Sequence, residues 1–198
     1  LASYGYKQIE GFEGQKGMFW GMTVGDMKKY MDDLGMTMIS SHCNINDKFE
    51  IKAANAAAMG MKYLICPYLG PQKSLDDFKR FADQFNKSGE ICRKNGLRFA
   101  YHNHGYSFQT LDGQLPQDVM MQSTDTALVD YEMDIYWVIA AGKDPIEYLD
   151  KIWAKDKDTL SAIMIELIQG EAGFNFATKE YYQSICRWGK EKGLYIII

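Results

Sequence analysis

The chain has 198 residues, 46% of them apolar and 24% charged, with a formal net charge of −4. That is material for one hydrophobic core and too little for two, so a single domain spanning 1–198 is expected. The acidic balance disfavours a nucleic-acid partner, which would draw on Lys and Arg, and no apolar run approaches the roughly 18–20 residues that cross a bilayer, so no membrane partner is expected.

In chain order, the sequence repeats one junction five times: a helix-like stretch ends in Gly and an apolar, strand-like run follows at once. Gly5 precedes Lys7-Gln8-Ile9-Glu10, and Gly35 precedes Met38-Ile39-Ser40-Ser41-His42. Gly60 precedes Tyr63-Leu64-Ile65-Cys66, Gly96 precedes Phe99-Ala100-Tyr101-His102, and Gly193 precedes Tyr195-Ile196-Ile197-Ile198. Glycine closes a helix in the left-handed conformation without steric penalty and turns the chain straight into a strand. The spacings of 30, 25, 36 and 97 residues describe a unit of roughly 30, the last gap holding about three of them. Strands alternating with helices at that period predict a parallel sheet built from βα units.

Helix starts fall between these strands. Thr23 stands three residues before Asp26 and Ser74 three before Asp77, both resembling capping boxes, and Asp144 precedes Pro145 at a first helical position. From Ser74 to Lys94, Phe78, Phe81, Phe85 and Ile91 recur at helical spacing and belong against a sheet. Two further runs, Ala127–Asp134 and Ser161–Leu167, bring the expected strands to seven. Eight would close a barrel. The chain opens at Leu1 and stops at Ile198 inside an apolar run, so the fold class expected is an α/β parallel (β/α)8 TIM barrel lacking its first strand and the end of its last. An open doubly wound sheet would carry a glycine-rich phosphate loop, and the run Gly11 to Gly17 has the wrong spacing for one. No signal peptide is visible from Leu1, and both cytoplasm and periplasm stay open as locations. Cys43, Cys66, Cys92 and Cys186 are scattered, which predicts reduced, mostly buried thiols.

In a parallel barrel the chemistry sits at the C-terminal strand ends. Those positions hold Glu10, His42, His102-Asn103-His104, Asp134 and Glu166, and they include all three histidines of the chain. Imidazoles and carboxylates converging from several strands suit a divalent metal, and they suit proton abstraction beside a carbonyl. Glu10, His42, His102 and His104 are the candidate catalytic acids and bases. Trp20, Tyr68, Tyr106, Tyr136 and Trp137 lie just beyond strand ends, where aromatic faces stack on sugar rings or fill the core. Glu10 and Glu132 have the alternative of capping a neighbouring helix.

Gly96 to His104, Tyr131 to Trp137 and Ala141-Gly142-Lys143-Asp144-Pro145, led by Ile9-Glu10-Gly11 and Ser40-Ser41-His42, resemble the sugar phosphate isomerase/epimerase group of the xylose-isomerase-like barrels over roughly residues 1–150. The resemblance implies a sugar isomerase or epimerase using metal-assisted proton transfer. The group's relatives also include dehydratases and lyases for keto-sugars or keto-inositols, and a non-catalytic sugar-binding barrel is the reading from another class. It implies a divalent ion (zinc, manganese or cobalt) with His102 and Asp134 among its ligands. The partners implied are a small-molecule carbohydrate and, for an oligomer, further copies of the chain. The group's seventh-strand His-x-Lys-Asp corresponds to Trp153-Ala154-Lys155-Asp156, with Trp in place of His, and its last-strand glutamate would fall beyond Ile198. In that register Ser161–Leu167 is a segment near Gly170-Glu171; in the other it is the seventh strand itself.

Overall fold

The computed structural model describes residues 1–156, 162–165, 167–168 and 176–197. All five junction glycines take positive φ, from 61° at Gly35 to 93° at Gly5. The strands that follow are β1 (Gln8–Phe12), β2 (Thr37–His42), β3 (Tyr63–Cys66), β4 (Arg98–His102) and, at the end of the chain, β7 (Tyr195–Ile197). The two runs without a glycine junction give shorter strands, β5 (Val129–Glu132) and β6 (Ala162–Met164).

Two compact units divide the chain, Leu1–Ala141 and Gly142–Ile198. In the first, β1 to β5 form one parallel sheet in chain order. Four helices follow the first four strands: α1 (Val24–Asp33), α2 (Phe49–Met59), α3 (Leu75–Lys94) and α4 (Pro116–Ser123), and the short α5 (Ile135–Ala140) closes the unit. In the second, α6 (Pro145–Asp156), β6, α7 (Lys179–Glu191) and β7 follow in an α-β-α-β order, and β6 and β7 pair in parallel. Parallel neighbours joined through helices are the α/β architecture that the glycine repeat predicts.

The helix starts form as read. Thr23 Oγ1 accepts from the Asp26 amide at 3.1 Å, Ser74 and Asp77 close a reciprocal capping box, and Asp144 Oδ1 accepts from Ile146 N at 2.8 Å, one residue past Pro145. Phe78 and Phe85 of α3 are fully buried, and the Phe85 ring lies 5.0 Å from Tyr101 and 5.5 Å from Phe99, both on β4. Each buried aromatic contributes roughly 1.5–3 kcal/mol of transfer free energy to this helix–sheet contact. At Gly89 a Cβ would come within 2.5 Å of the Leu128 carbonyl oxygen, so α3 approaches the chain before β5 too closely for any side chain.

Two segments depart from the expected boundaries. The run Ala127–Asp134 is strand only to Glu132, and Asp134 becomes the N-cap of α5, its Oδ1 accepting from the Tyr136 amide at 2.9 Å. Trp153 lies inside α6, where Asp144 and Pro145 start a helix that runs past it and buries Tyr148 and Leu149. Its ring meets Trp188 of α7 edge-on at 6.0 Å, and Trp188 Nε1 donates to Asp150 at 2.7 Å. Trp153 therefore stands on a helix and not at a strand end, and the strand of this region is Ala162–Met164. Ser161, Glu166, Gly170 and Glu171 lie outside the described residues.

All four cysteines are free thiols, and burial pushes Cys66 and Cys92 up to about 12. No described helix is long and apolar enough to cross a membrane.

Candidate active site

The ladder between β1 and β2 skips a residue: Ile9 pairs with Met38, and Glu10 pairs with Ser40. A bulge of this kind re-aims the side chain that follows it. Here it sets Glu10 beside Ser40, whose hydroxyl donates to Glu10 Oε2 at 2.5 Å. Two residues on, and so on the same face of β2, stands His42. Its Nε2 lies 3.4 Å from Glu10 Oε1 and 2.9 Å from Glu132 Oε2, the last residue of β5.

His42 is 15% exposed in its side chain, against 38% and 37% for Glu10 and Glu132. Burial alone would hold the imidazole low. Hydrogen bonds and attraction from both carboxylates outweigh it and push the pKa up to about 9. Burial likewise opposes the charge on Glu10, while hydrogen bonds from His42 and Ser40 hold its carboxyl below the usual range. One ligand atom from each of Glu10, His42 and Glu132 falls within 4.8 Å of the others. Zinc binds imidazole nitrogen and carboxylate oxygen at about 2.0–2.2 Å, and the set fits a divalent cation that displaces the imidazolium proton.

A second arrangement begins next to it, the His102 ring lying 5.2 Å from that of His42. His102 Nε2 is 3.2 Å from Asp134 Oδ2, and Nδ1 makes a long 3.4 Å contact with the Pro67 carbonyl. Asp134 is itself held by Asn103, which is buried: Nδ2 donates to the Asp134 carbonyl at 3.0 Å, and Oδ1 accepts from its amide at 2.8 Å. Both Asp134 oxygens are thus engaged, one capping α5 and one facing His102.

His104 is enclosed by rings. Tyr106 stacks parallel to it at 5.7 Å, Trp137 tilts against it at 4.9 Å, and Tyr68 and His102 meet it edge-on at 5.0 Å each. Burial lowers its pKa. Tyr136 packs edge-on against Trp137 at 5.0 Å. Trp20 lies in the loop after β1, exposed and with a left-handed φ of 54°, between the buried Met18 and Phe19 and the start of α1.

The ends of β2 and β4 and the residues after β4 and β5 thus bring His42, His102, His104 and Asp134 together; Glu10 joins them from the middle of β1, which runs two residues past the strand end expected there, to Phe12, and Tyr68, Tyr106, Tyr136 and Trp137 stand around His104. Glu132 is the residue the sequence leaves without a site role. Its signal is alternation: it sits two residues before Asp134 and pairs with His102 across the ladder, so it shares the polar rim that the histidines define.

No protein-family model matches the chain. A stretch of 68 residues, 33% of this chain, is 43% identical to the uncharacterized aminotransferase y4qG of Sinorhizobium fredii, covering 15% of that protein. A stretch of 77 residues, 38% of the chain, is 34% identical to the inosose dehydratase of Clostridium beijerinckii, covering 25% of it. The matches thus span a quarter or less of these curated relatives. Whole-chain similarity comes from solved structures. A sugar phosphate isomerase/epimerase from Parabacteroides distasonis aligns over 100% of this chain and 77% of its own, with 25% identity and a TM-score of 0.74. The IOLI protein, solved with a zinc atom, aligns over 99% and 79%, with 15% identity and a TM-score of 0.70. The parallel strand order, the helices between the strands and these whole-chain alignments show that the chain shares the α/β fold of the sugar phosphate isomerase/epimerase structures.

Proposed function

We propose that the chain is a sugar isomerase or epimerase, moving a proton beside the carbonyl of a monosaccharide or a derivative. The observation that carries this reading is the convergence of Glu10, from the middle of β1, with His42 and Glu132, from the ends of β2 and β5, within 4.8 Å, beside the His102–Asp134 pair. Glu10, His42 and Glu132 would hold a divalent cation; zinc, manganese and cobalt all suit imidazole and carboxylate donors. The zinc atom in the IOLI protein, a neighbour by fold, supports a divalent ion in this chain. When bound, such an ion polarises a substrate carbonyl as a Lewis acid.

The proton transfer falls to His102. Asp134 Oδ2 faces Nε2, which would hold the proton there in a neutral ring, and Nδ1 would turn from its long 3.4 Å contact with the Pro67 carbonyl to take the substrate proton. Asp134 then stabilises the imidazolium that forms, as the aspartate of a catalytic triad does for its histidine. Asp134 is better suited to this than to an ion, since its Oδ1 caps α5 and Asn103 holds its backbone in place. His104, with its lowered pKa, stays neutral among its rings, and Tyr68, exposed at the rim, offers a stacking face to a sugar.

A dehydratase acting on a keto-inositol is the second reading, favoured by the 34% identity to an inosose dehydratase over 77 residues. Both reactions start by removing a proton next to a carbonyl, so one experiment addresses both. The chain, loaded with manganese or cobalt, is incubated in D2O with a panel of ketoses, aldoses and keto-inositols. Deuterium at the carbon beside the carbonyl with an isomerised product supports the first reading; loss of water supports the second. Exchange should fall at least 100-fold in His102→Gln, in line with the contribution of a general base. Sugar binding without exchange contradicts both readings and leaves a non-catalytic binding barrel.

A further inference from the structure

Beside the cluster lies an ion pair that touches no candidate ligand with its side chains. Glu13 follows β1, and Lys52 projects from α2; their side chains are 18% and 13% exposed and meet at 2.9 Å. Both are bound to the segment that leaves β2. The Glu13 amide donates to the His42 carbonyl at 2.9 Å, and Glu13 Oε2 accepts from the Asn44 amide at 2.8 Å. Lys52 Nζ donates to the Asn44 carbonyl at 2.9 Å. Between them, the Cys43 amide donates to the Ile65 carbonyl of β3 at 2.9 Å. The backbone from His42 to Asn44 is therefore gripped from β1 and α2 on one side and from β3 on the other.

We propose that Glu13 and Lys52 are positioning residues that set the separation between Glu10 and His42. Glu13 is three residues from Glu10, and Asn44 is two from His42, so a shift at the ion pair is passed to both through short lengths of strand. A half-buried pair is suited to this, because each charge lacks full solvation and keeps its partner in place. Removing one partner frees the Asn44 segment without touching the donor atoms of the cluster. The proposal rests on the preceding reading only in taking that cluster to be the site.

Two measurements test it on the whole chain. Without metal, the imidazole 1H–15N resonances of His42 report its contacts with Glu10 and Glu132; Lys52→Met and Glu13→Gln should both displace them, and Lys52→Arg should restore the wild-type positions. With cobalt(II) as the probe, the same two variants should bind about tenfold or more weakly, the range for residues that support metal ligands. Arg98→Met is the control, because it breaks the Arg98–Asp130 pair at the opposite end of the strands. It should lower stability and leave both readouts unchanged. Should Lys52→Met fail to fold, the nearly isosteric Glu13→Gln decides. Unmoved His42 resonances in Glu13→Gln, or the same displacement in Arg98→Met, would overturn the proposal. A wild-type chain that binds no cobalt would remove the metal from the functional reading, and the clamp would then be judged on the resonances alone.

Discussion

Two imidazoles whose rings lie 5.2 Å apart are held in opposite ways. His42 is held by the carboxylates of two glutamates from different strands, each more than a third exposed. His102 faces an aspartate that the fold has already immobilised through Asn103 and the start of α5. The first set can trade its proton for a cation with little rearrangement, whereas the second cannot move without breaking backbone hydrogen bonds. The difference underlies the proposed division of roles between an adaptable ligand set and, beside it, a fixed proton-transfer pair.

Variants that separate the two sets sharpen this contrast. The largest effect is expected from Glu132→Gln and His42→Ala, which remove a ligand and should weaken cobalt or zinc binding by on the order of 100-fold or more, while also lowering the unfolding midpoint of the metal-free chain near neutral pH because an ion pair of His42 is lost. Calorimetric titration checks the first quantity and urea denaturation the second. Asn103→Ala should leave metal binding unchanged and act on stability alone. It leaves the amide and carbonyl of Asp134 without partners and should cost about 2–3 kcal/mol of stability by the same denaturation measurement.

pH should separate the two sets further. His42 is raised from 6.5 to about 9 in the folded protein. Its ion pairs therefore stabilise the metal-free fold fully below about 6.5 and lose that contribution as pH rises through about 9. Metal affinity should move the other way, since the ion competes with the imidazole proton, and should climb by up to about tenfold per pH unit until the region of pH 9. Denaturation and metal titrations across pH 6–10 would reveal the crossing trends, and His42→Ala should flatten both. The smallest effect is expected far from the site: Thr23→Ala removes the cap of α1 and should cost about 1 kcal/mol without altering metal binding.

Much of the architecture was legible because its signals are local. Gly35, Gly60 and Gly96 mark helix ends by a conformation few other residues adopt, and Thr23, Ser74 and Asp144 mark helix starts by hydrogen bonds within three residues. The histidines stood out because all of them fall at strand ends. Glu132 did not, because its role depends on which residues of β4 and β5 lie side by side, and pairing register is a property of two strands. Asp134 looked like a strand end, since the run before it alternates; only its contacts with Asn103 and Tyr136 show that the helix has already begun. Trp153 was misplaced for a related reason. A family motif suggested a strand, while Asp144 and Pro145 nine residues or fewer upstream had already started a helix through it.

The central claim is that Glu10, His42 and Glu132, rather than His102 and Asp134, hold the ion. Elemental analysis of the purified chain after incubation with zinc or manganese, run beside His42→Ala and Asp134→Asn, tests it most directly. Asparagine keeps the cap of α5, so the second variant alters the charge facing His102 without disturbing the helix start. The account predicts one divalent ion per chain in the wild type and in Asp134→Asn, and none in His42→Ala. Retention of the ion by His42→Ala with its loss from Asp134→Asn would contradict the account and move the metal to the His102–Asp134 pair.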